Sequence, residues 1–385
     1  MKKSYKIAFI TSFDPEDRRA WSGSIHYIAE SLKKHVGEIE NLGPVPIPFE
    51  RIKMMVSKNI RRITGKISYP DRSVAASMHY ARIFERKLER KKYDFIVAPA
   101  ASVEIANIET RVPIVYISDA TFNIVKNDYS IFSTLSEKTL EDQERLERQS
   151  IEKSSLCVYP SKWAANSAIE DYKADKNKVK VIQFGANLDS VPEKELVTNK
   201  KIDDKIRMLF LAKEWDRKGG QTAFDTLLAL ESIGIEAELT ILGVTPPKHI
   251  KHRNLKVIHY LNKNIQNERT KFNEILLKSH LLLLPTKTEC FGLVFCEANA
   301  YGLPVFTRGV GGISSIVKNG INGFLHGKNE SGTEFAKSIF NATRDKLIYS
   351  NLNKNSRKRF EEKLNWDFFG KELKRNLDKL TYGET

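Results

Sequence analysis

Cysteine is scarce in this sequence: 385 residues hold three, Cys157, Cys290 and Cys296. An odd number without ligand spacing excludes a disulfide framework and a cysteine-based metal site, and fits a reduced, cytoplasmic compartment. Each is expected as a small buried apolar side chain. Long apolar runs are missing too. The run LLLL before Pro285 falls far short of the roughly 20 residues that span a bilayer. The amino-terminal MKKSYKIAFITSFDP lacks a small-residue cleavage site and is interrupted at Asp14-Pro15, so it reads as a first strand, not a signal peptide. The eight histidines show no metal spacing, and no internal repeat or low-complexity tract occurs.

What is present describes an ordinary globular chain, 41% apolar and 29% charged, long enough for two domains. Its net charge of +15 is unevenly spread. Between Arg51 and Lys92 thirteen Lys and Arg face three acids, Asp71, Glu85 and Glu89. Within that window RIKMMVSKNIRRITGKI mixes Ile52, Met54, Met55, Val56, Ile60 and Ile63 with Arg51, Lys53, Lys58, Arg61 and Arg62. This is the pattern of a basic amphipathic segment that lies against anionic headgroups, although a solvated helix face shares it. Nucleic acid is not the expected partner, because no helix-turn-helix, zinc-finger or RNP pattern accompanies the charge.

Strand-like and helix-like segments alternate along the chain. YKIAFITSF is followed by SGSIHYIAESLKK, where Ile25, Ile28, Ala29 and Leu32 recur at helical spacing. The basic region predicts two helices. YDFIVAPA, VPIVYISDA, LCVYPS and VKVIQFGAN predict further strands, with a long polar helix from about Leu135 to Lys153 and another from Lys162. Asp189 to Lys205 is polar and reads as a linker. Beyond it IRMLFLA, AELTILG, LKVIHY, HLLLLPT and LPVFT predict strands, separated by helices at Gln221–Ser232, Gln266–Lys278, Leu293–Tyr301 and Ile313–Lys318. Such alternation implies parallel sheets in two doubly wound α/β domains. The closing WDFFGKELKRNLDKL places Trp366, Phe369, Leu373, Leu377 and Leu380 on one helical stripe. The expected domains are 1–188, 189–365, and a carboxy-terminal helix at 366–385 that crosses back to the first domain.

In open α/β sheets ligands bind beyond the carboxyl ends of the strands. Three post-strand loops of the second half are rich in glycine and charge. KEWDRKGG sets Lys213, Arg217 and Lys218 beside Gly219-Gly220 at a helix start, an arrangement suited to an anion such as a diphosphate. KTECFGLVFCEANAYGLPV holds Glu289 and Glu297 with seven residues between them and Phe291-Gly292-Leu293 at the helix start. Glu297 lies among Val294, Phe295, Cys296, Ala298 and Ala300, so its carboxylate requires a partner. RGVGGISSIVKNGINGFL brings Gly309, Gly311 and Gly312 to a third helix start. A pair of carboxylates at such an edge can accept hydrogen bonds from sugar hydroxyls.

PTKTECFGLVFCEANAYGLPVFTRGVGGISSIVKNGINGFL resembles the donor-binding segment of family 4 glycosyltransferases, retaining enzymes of the GT-B fold. The shared features are E-x7-E, FGL, EA-x-A-x-GLPV and VGG. WDRKGG is similar to the family's basic phosphate loop, YPSKWAANSAIEDY with VKVIQFGANLD to its passage between domains, and AWSGSIHYIAESL to its first glycine loop. The resemblance covers most of the chain, most specifically from Arg207 to Phe324, and implies two Rossmann-like domains facing a cleft. It implies that Glu297 holds the nucleotide ribose and Glu289 the transferred sugar. It lines the donor with the backbone of Phe291, Gly292 and Leu293, and sets Lys218 and Arg217 against the leaving diphosphate. Gly23, with Ser22, would approach that phosphate from the first domain. Lys213 stands where the family commonly has Arg. Asp119 is expected on the acceptor side, with Ser118 before it where many relatives carry His.

The reaction so implied is transfer of a hexose from a nucleoside diphosphate sugar, a UDP-sugar by expectation, to a glycan, lipid-linked or membrane-associated acceptor. Relatives use front-face substitution in which the donor phosphate helps deprotonate the acceptor, so no protein nucleophile is required. No DxD-type metal pair is present, since Asp203-Asp204 reads as solvated charge, and basic side chains would replace the metal. No cofactor beyond the sugar nucleotide is expected. The chain is expected in the cytoplasm, peripheral to the inner face of the cell membrane. Two other readings are a sugar-nucleotide epimerase of the same architecture and a nucleic-acid-binding protein using the basic first domain. The first needs acid and base groups bracketing the sugar, which E-x7-E does not suggest.

Overall fold

The computed structural model describes residues 4–47 and 50–383, without the side chains of residues 50–53 and 60. Arg51, Ile52, Lys53 and Ile60 of the basic segment therefore lie outside the described side chains. The described residues form two compact α/β units, one of those up to 183 together with those from 370 on, the other of 184–369.

In the first unit a parallel sheet has the order β2-β1-β3-β4-β5-β6. Its strands are β1 (Tyr5–Phe9), β2 (Gly37–Asn41), β3 (Phe95–Pro99), β4 (Ile114–Ile117), β5 (Leu156–Tyr159) and β6 (Val179–Val181). Its helices are α1 (Ser24–His35), α2 (Glu50–Thr64), α3 (Val74–Leu88), α4 (Ser102–Ile105), α5 (Phe122–Asp128), α6 (Glu137–Lys153) and α7 (Lys162–Glu170). The inner strands β3, β4 and β5 are buried along their whole length, as continuous apolar runs in a parallel sheet should be. Ile25, Ile28, Ala29 and Leu32 form the buried stripe of α1. The edge strand β2, Gly-Glu-Ile-Glu-Asn, carries no apolar run and is half exposed.

The second unit has the order β12-β11-β10-β7-β8-β9, again all parallel. Its strands are β7 (Ile206–Leu211), β8 (Ala237–Leu242), β9 (Leu255–Ile258), β10 (Leu281–Leu284), β11 (Val305–Arg308) and β12 (Gly323–His326). Its helices are α8 (Lys194–Thr198), α9 (Gly220–Ser232), α10 (Gln266–Lys278), α11 (Leu293–Ala300), α12 (Gly332–Thr343) and α13 (Lys346–Lys363), and α14 (Trp366–Tyr382) follows. All four leucines of β10 are fully buried. Successive strands β7, β8 and β9 run outward on one side and β10, β11 and β12 on the other. The topological switch point, where such sheets bind ligands, therefore lies between β7 and β10.

Four expectations change here. The chain divides after Gln183, not after 188, because Phe184 stacks on Trp366 and packs edge-on against Phe291 and Phe369. The polar stretch 189–205 is not a free linker: it holds α8, Val197 is fully buried, and Lys200 Nζ donates to the carbonyls of Leu276 (3.1 Å) and Ser279 (2.8 Å). The helix expected at Ile313–Lys318 is a short 3-10 turn, Gly311–Ser315, opened by Gly311 at φ +54. In α14 the first turn, through Phe369, belongs to the second unit and the rest to the first. Leu373 and Leu377 are fully buried in the first unit, whereas Leu380, placed on the same stripe by its spacing, is 41% exposed.

Candidate functional site

The loops after β7 and β10 meet through their backbones. Gly219 caps α9 at φ +77, and a Cβ there would stand 2.0 Å from the Pro285 carbonyl oxygen, closer than any side chain allows. Lys287 N donates to Arg217 O at 2.8 Å, and Arg217 Nη1 donates to Thr288 O at 3.1 Å. This lacing brings Lys218 against Glu289, whose Oε2 accepts a hydrogen bond from Lys218 Nζ. Both side chains are only 12% exposed. The third loop completes the edge. Gly311 lies against the Glu289 carbonyl oxygen, and Gly312 N donates to Cys290 O at 3.0 Å.

The two glutamates of E-x7-E thus each have a lysine. Glu297, in the middle of α11, is buried, and its Oε1 accepts from Lys263 Nζ at 2.5 Å. Gly292 caps α11 at φ +94. Phe291 turns its ring into the core against Phe184, so its backbone is what remains for a ligand at this edge. Leu293 opens the helix half-buried. Arg217 is tied to Glu214 by a 2.5 Å ion pair. Lys213 is exposed and lies 5.0 Å above the ring of Tyr260, which follows β9.

Ser22, Gly23 and Asp119 belong to the first unit. Trp21, Ser22 and Gly23 are three successive residues at positive φ immediately before α1, a conformation costing about 1–2 kcal/mol for each non-glycine residue. Strain of this kind collects where a ligand is held. Asp119 follows β4 and is half-buried, and the Ser118 hydroxyl beside it donates to Ala120 O at 2.7 Å.

Sequence reasoning missed three residues. Arg308 closes β11 and donates to Pro285 O, to Thr222 Oγ1 at 3.2 Å and to Glu330 O at 3.0 Å. It braces α9, and a charge ending the apolar run LPVFT is the signal the sequence offers. Lys263 sits in the polar LNKN, which has no pattern to mark it. Glu104, after β3, is buried at the first unit's own switch point between β1 and β3, and burial pushes its carboxyl up to about 7. Among the described residues no group of three or more His, Cys, Asp or Glu could hold a metal ion. Cys157 and Cys296 are buried as expected, but Cys290, between Glu289 and Phe291, is half-buried.

The family model for glycosyl transferases group 1 matches residues 191–359. The capsular polysaccharide biosynthesis glycosyltransferase CapM of Staphylococcus aureus is 25% identical over 52% of this chain and 55% of its own length. The chain spans about half the length of curated relatives such as this one. Among solved structures, sucrose-phosphate synthase from Thermosynechococcus elongatus aligns with a TM-score of 0.68 at 14% identity, covering 99% of this chain and 100% of that one. Anabaena Alr3699/HepE in complex with UDP-glucose aligns at 0.58 and 16%, covering 98% and 100%. These likenesses show the fold, two Rossmann-like units of the GT-B type. The segment 191–359, which carries Lys218, Glu289, Lys263 and Glu297, is by this match a group 1 glycosyl transferase segment.

Proposed function

We propose that the chain transfers a hexose from a nucleoside diphosphate sugar, UDP-hexose first, to a glycan or lipid-linked acceptor of the cell envelope, with retention and without a metal ion. The observation that carries this reading is the Lys218–Glu289 pair at the switch point of the group 1 domain. A donor exchanges both partners at once: its diphosphate takes the ammonium of Lys218, and hydroxyls of its sugar take the Glu289 carboxylate. As the C1–O bond to the diphosphate breaks, negative charge grows beside Lys218, with Arg217 next to it in the chain and the first-turn N–H groups of α9 following directly. The acceptor oxygen bonds to C1 on the same face, and its proton passes to the departing phosphate. Lys218 and Arg217 supply the positive charge that a metal supplies elsewhere. The UDP choice is supported by the fold shared with HepE, whose structure holds UDP-glucose. The envelope acceptor is supported by CapM. The test is nucleoside diphosphate release from UDP-hexose in EDTA, with a membrane extract as acceptor. Product of unchanged anomeric configuration is expected, and an inverted product or a strict metal requirement contradicts the reading.

An anionic membrane surface is proposed as a second partner, through α2. Four of its described apolar residues face solvent, with Met54 48%, Met55 65%, Val56 51% and Ile63 86% exposed, beside exposed Lys58, Arg61 and Arg62. Basic charge attracts the headgroups, and apolar side chains enter between them. Among the described residues no helix is long and apolar enough to cross a membrane. The chain is expected to float with phosphatidylglycerol-containing liposomes and not with neutral ones, and Met55→Glu with Ile63→Glu is expected to abolish flotation. Equal failure to bind either vesicle removes this part of the account.

A further inference from the structure

Glu297 is not held by its own helix. Its Oε1 accepts from Lys263 Nζ at 2.5 Å, and the Lys263 ammonium also lies 4.1 Å from the ring centroid of Phe272 and 3.4 Å from Asn187 O. The lysine backbone is fixed in turn. Lys263 O accepts from Arg269 Nη1 at 2.7 Å, and Arg269 Nε pairs with Asp189 Oδ2 at 3.1 Å. Asn187 Oδ1 accepts from Trp366 Nε1 at 3.0 Å. Lys263 is 21% exposed and Glu297 7%, so the pair forms largely out of water, where its geometry is held firmly. A glutamate loses side-chain freedom when it binds a hydroxyl, and a carboxylate already anchored by one oxygen has lost that freedom in advance.

We infer that Lys263 is a positioning residue that sets the selectivity of the site for a ribose over a deoxyribose, by clamping Glu297 through Oε1 with an ammonium that is itself seated over the face of Phe272. The inference rests on the proposed function, in which Glu297 receives the ribose hydroxyls. Lys263 itself touches no reacting atom. It fixes the carboxylate so that a hydroxyl finds its acceptor in place.

The test is calorimetric titration of the full chain with UDP and dUDP, with GDP/dGDP and ADP/dADP run alongside. The wild type is expected to favour the best-bound ribonucleotide over its 2′-deoxy form by about tenfold or more, the worth of a hydrogen bond to a charged group. Lys263→Met is expected to reduce that preference to within about threefold while leaving affinity for the deoxy form nearly unchanged, and Lys263→Arg to restore most of it. Glu297→Gln is expected to behave like Lys263→Met. A Lys263→Met chain that keeps the full ribose preference overturns the inference. So does one that loses ribo and deoxy forms equally, since Lys263 is then only a loop anchor. A wild type that binds a diphosphate without preferring ribose overturns the Glu297 assignment instead, and one that binds no nucleotide overturns the proposed function. In both cases the inference falls with the reading that supports it.

Discussion

Lys218→Ala is expected to lower turnover by about a thousandfold while the chain stays folded. Removing one preorganised donor from a developing oxyanion typically costs about 100- to 1000-fold, and in the proposed reaction Lys218 faces a diphosphate, not a single charge. The position is not replaceable by its neighbours. Lys213 lies over Tyr260, and Arg217 is shared with Glu214 and the Thr288 carbonyl. Glu289→Gln is expected to fall by about 100-fold or more, because the amide still fits beside Lys218 but accepts hydroxyl protons less strongly. Each single change leaves a 12% exposed partner without its counter-charge and so lowers the melting temperature modestly. Initial rates of UDP release, read beside circular dichroism melts, separate lost chemistry from lost fold. Turnover near wild type in either variant sinks the assignment.

The second large effect is expected at a glycine. Gly311 has φ +54, and a Cβ built on it meets the Glu289 carbonyl oxygen at 1.8 Å. Gly311→Ala must displace either the glycine turn or the backbone that carries Glu289. A loss of about 3 kcal/mol or more is expected, with activity falling further than the unfolded fraction accounts for. Gly320 is the control: φ is +73, but nothing lies within 4 Å of its Cβ position. Gly320→Ala should cost only the left-handed backbone term, about 1–2 kcal/mol, and leave turnover intact. Urea denaturation of the two variants measures the difference, and equal stability would show that the contact with Glu289 does not constrain the site.

The inner strands and the first helix were legible because burial writes itself as pattern. LLLL, FIVAP and IVYI are short apolar runs of strand length, and they are strands buried along their whole length, and the i, i+3, i+4, i+7 stripe of α1 is buried throughout. The edges were less legible. The strand β2 is Gly-Glu-Ile-Glu-Asn, which pairs with β1 through its backbone and needs no apolar signature. The short β12, Gly-Phe-Leu-His, is hidden behind glycine and asparagine turns. The third glycine loop read as a helix start because VGG resembles one, but a left-handed Gly311 followed by few helix formers yields a 3-10 turn. At the site, spacing pointed to Glu289 and Glu297, and the apolar neighbours of Glu297 showed that it needed a partner. They could not say which, because Lys263 is 34 residues away in the sequence and comes from another loop. The Lys218–Glu289 pair spans 71 residues, and each member is marked in the sequence only by its place after a strand.

The measurement that bears most directly on this account is the melting temperature of the wild type and of Lys218→Ala with UDP-, GDP-, ADP- and CMP-linked sugars. A ligand that binds only the folded chain raises the melting point, by about 2.7 kcal/mol of stability at a hundred times its dissociation constant. The wild type is expected to rise with one diphosphate-linked sugar, UDP-hexose first, and not with the monophosphate-linked CMP sugar, and Lys218→Ala is expected to lose most of that rise. No rise with any of the four, or an equal rise in Lys218→Ala, would contradict a donor site built around Lys218 and Glu289.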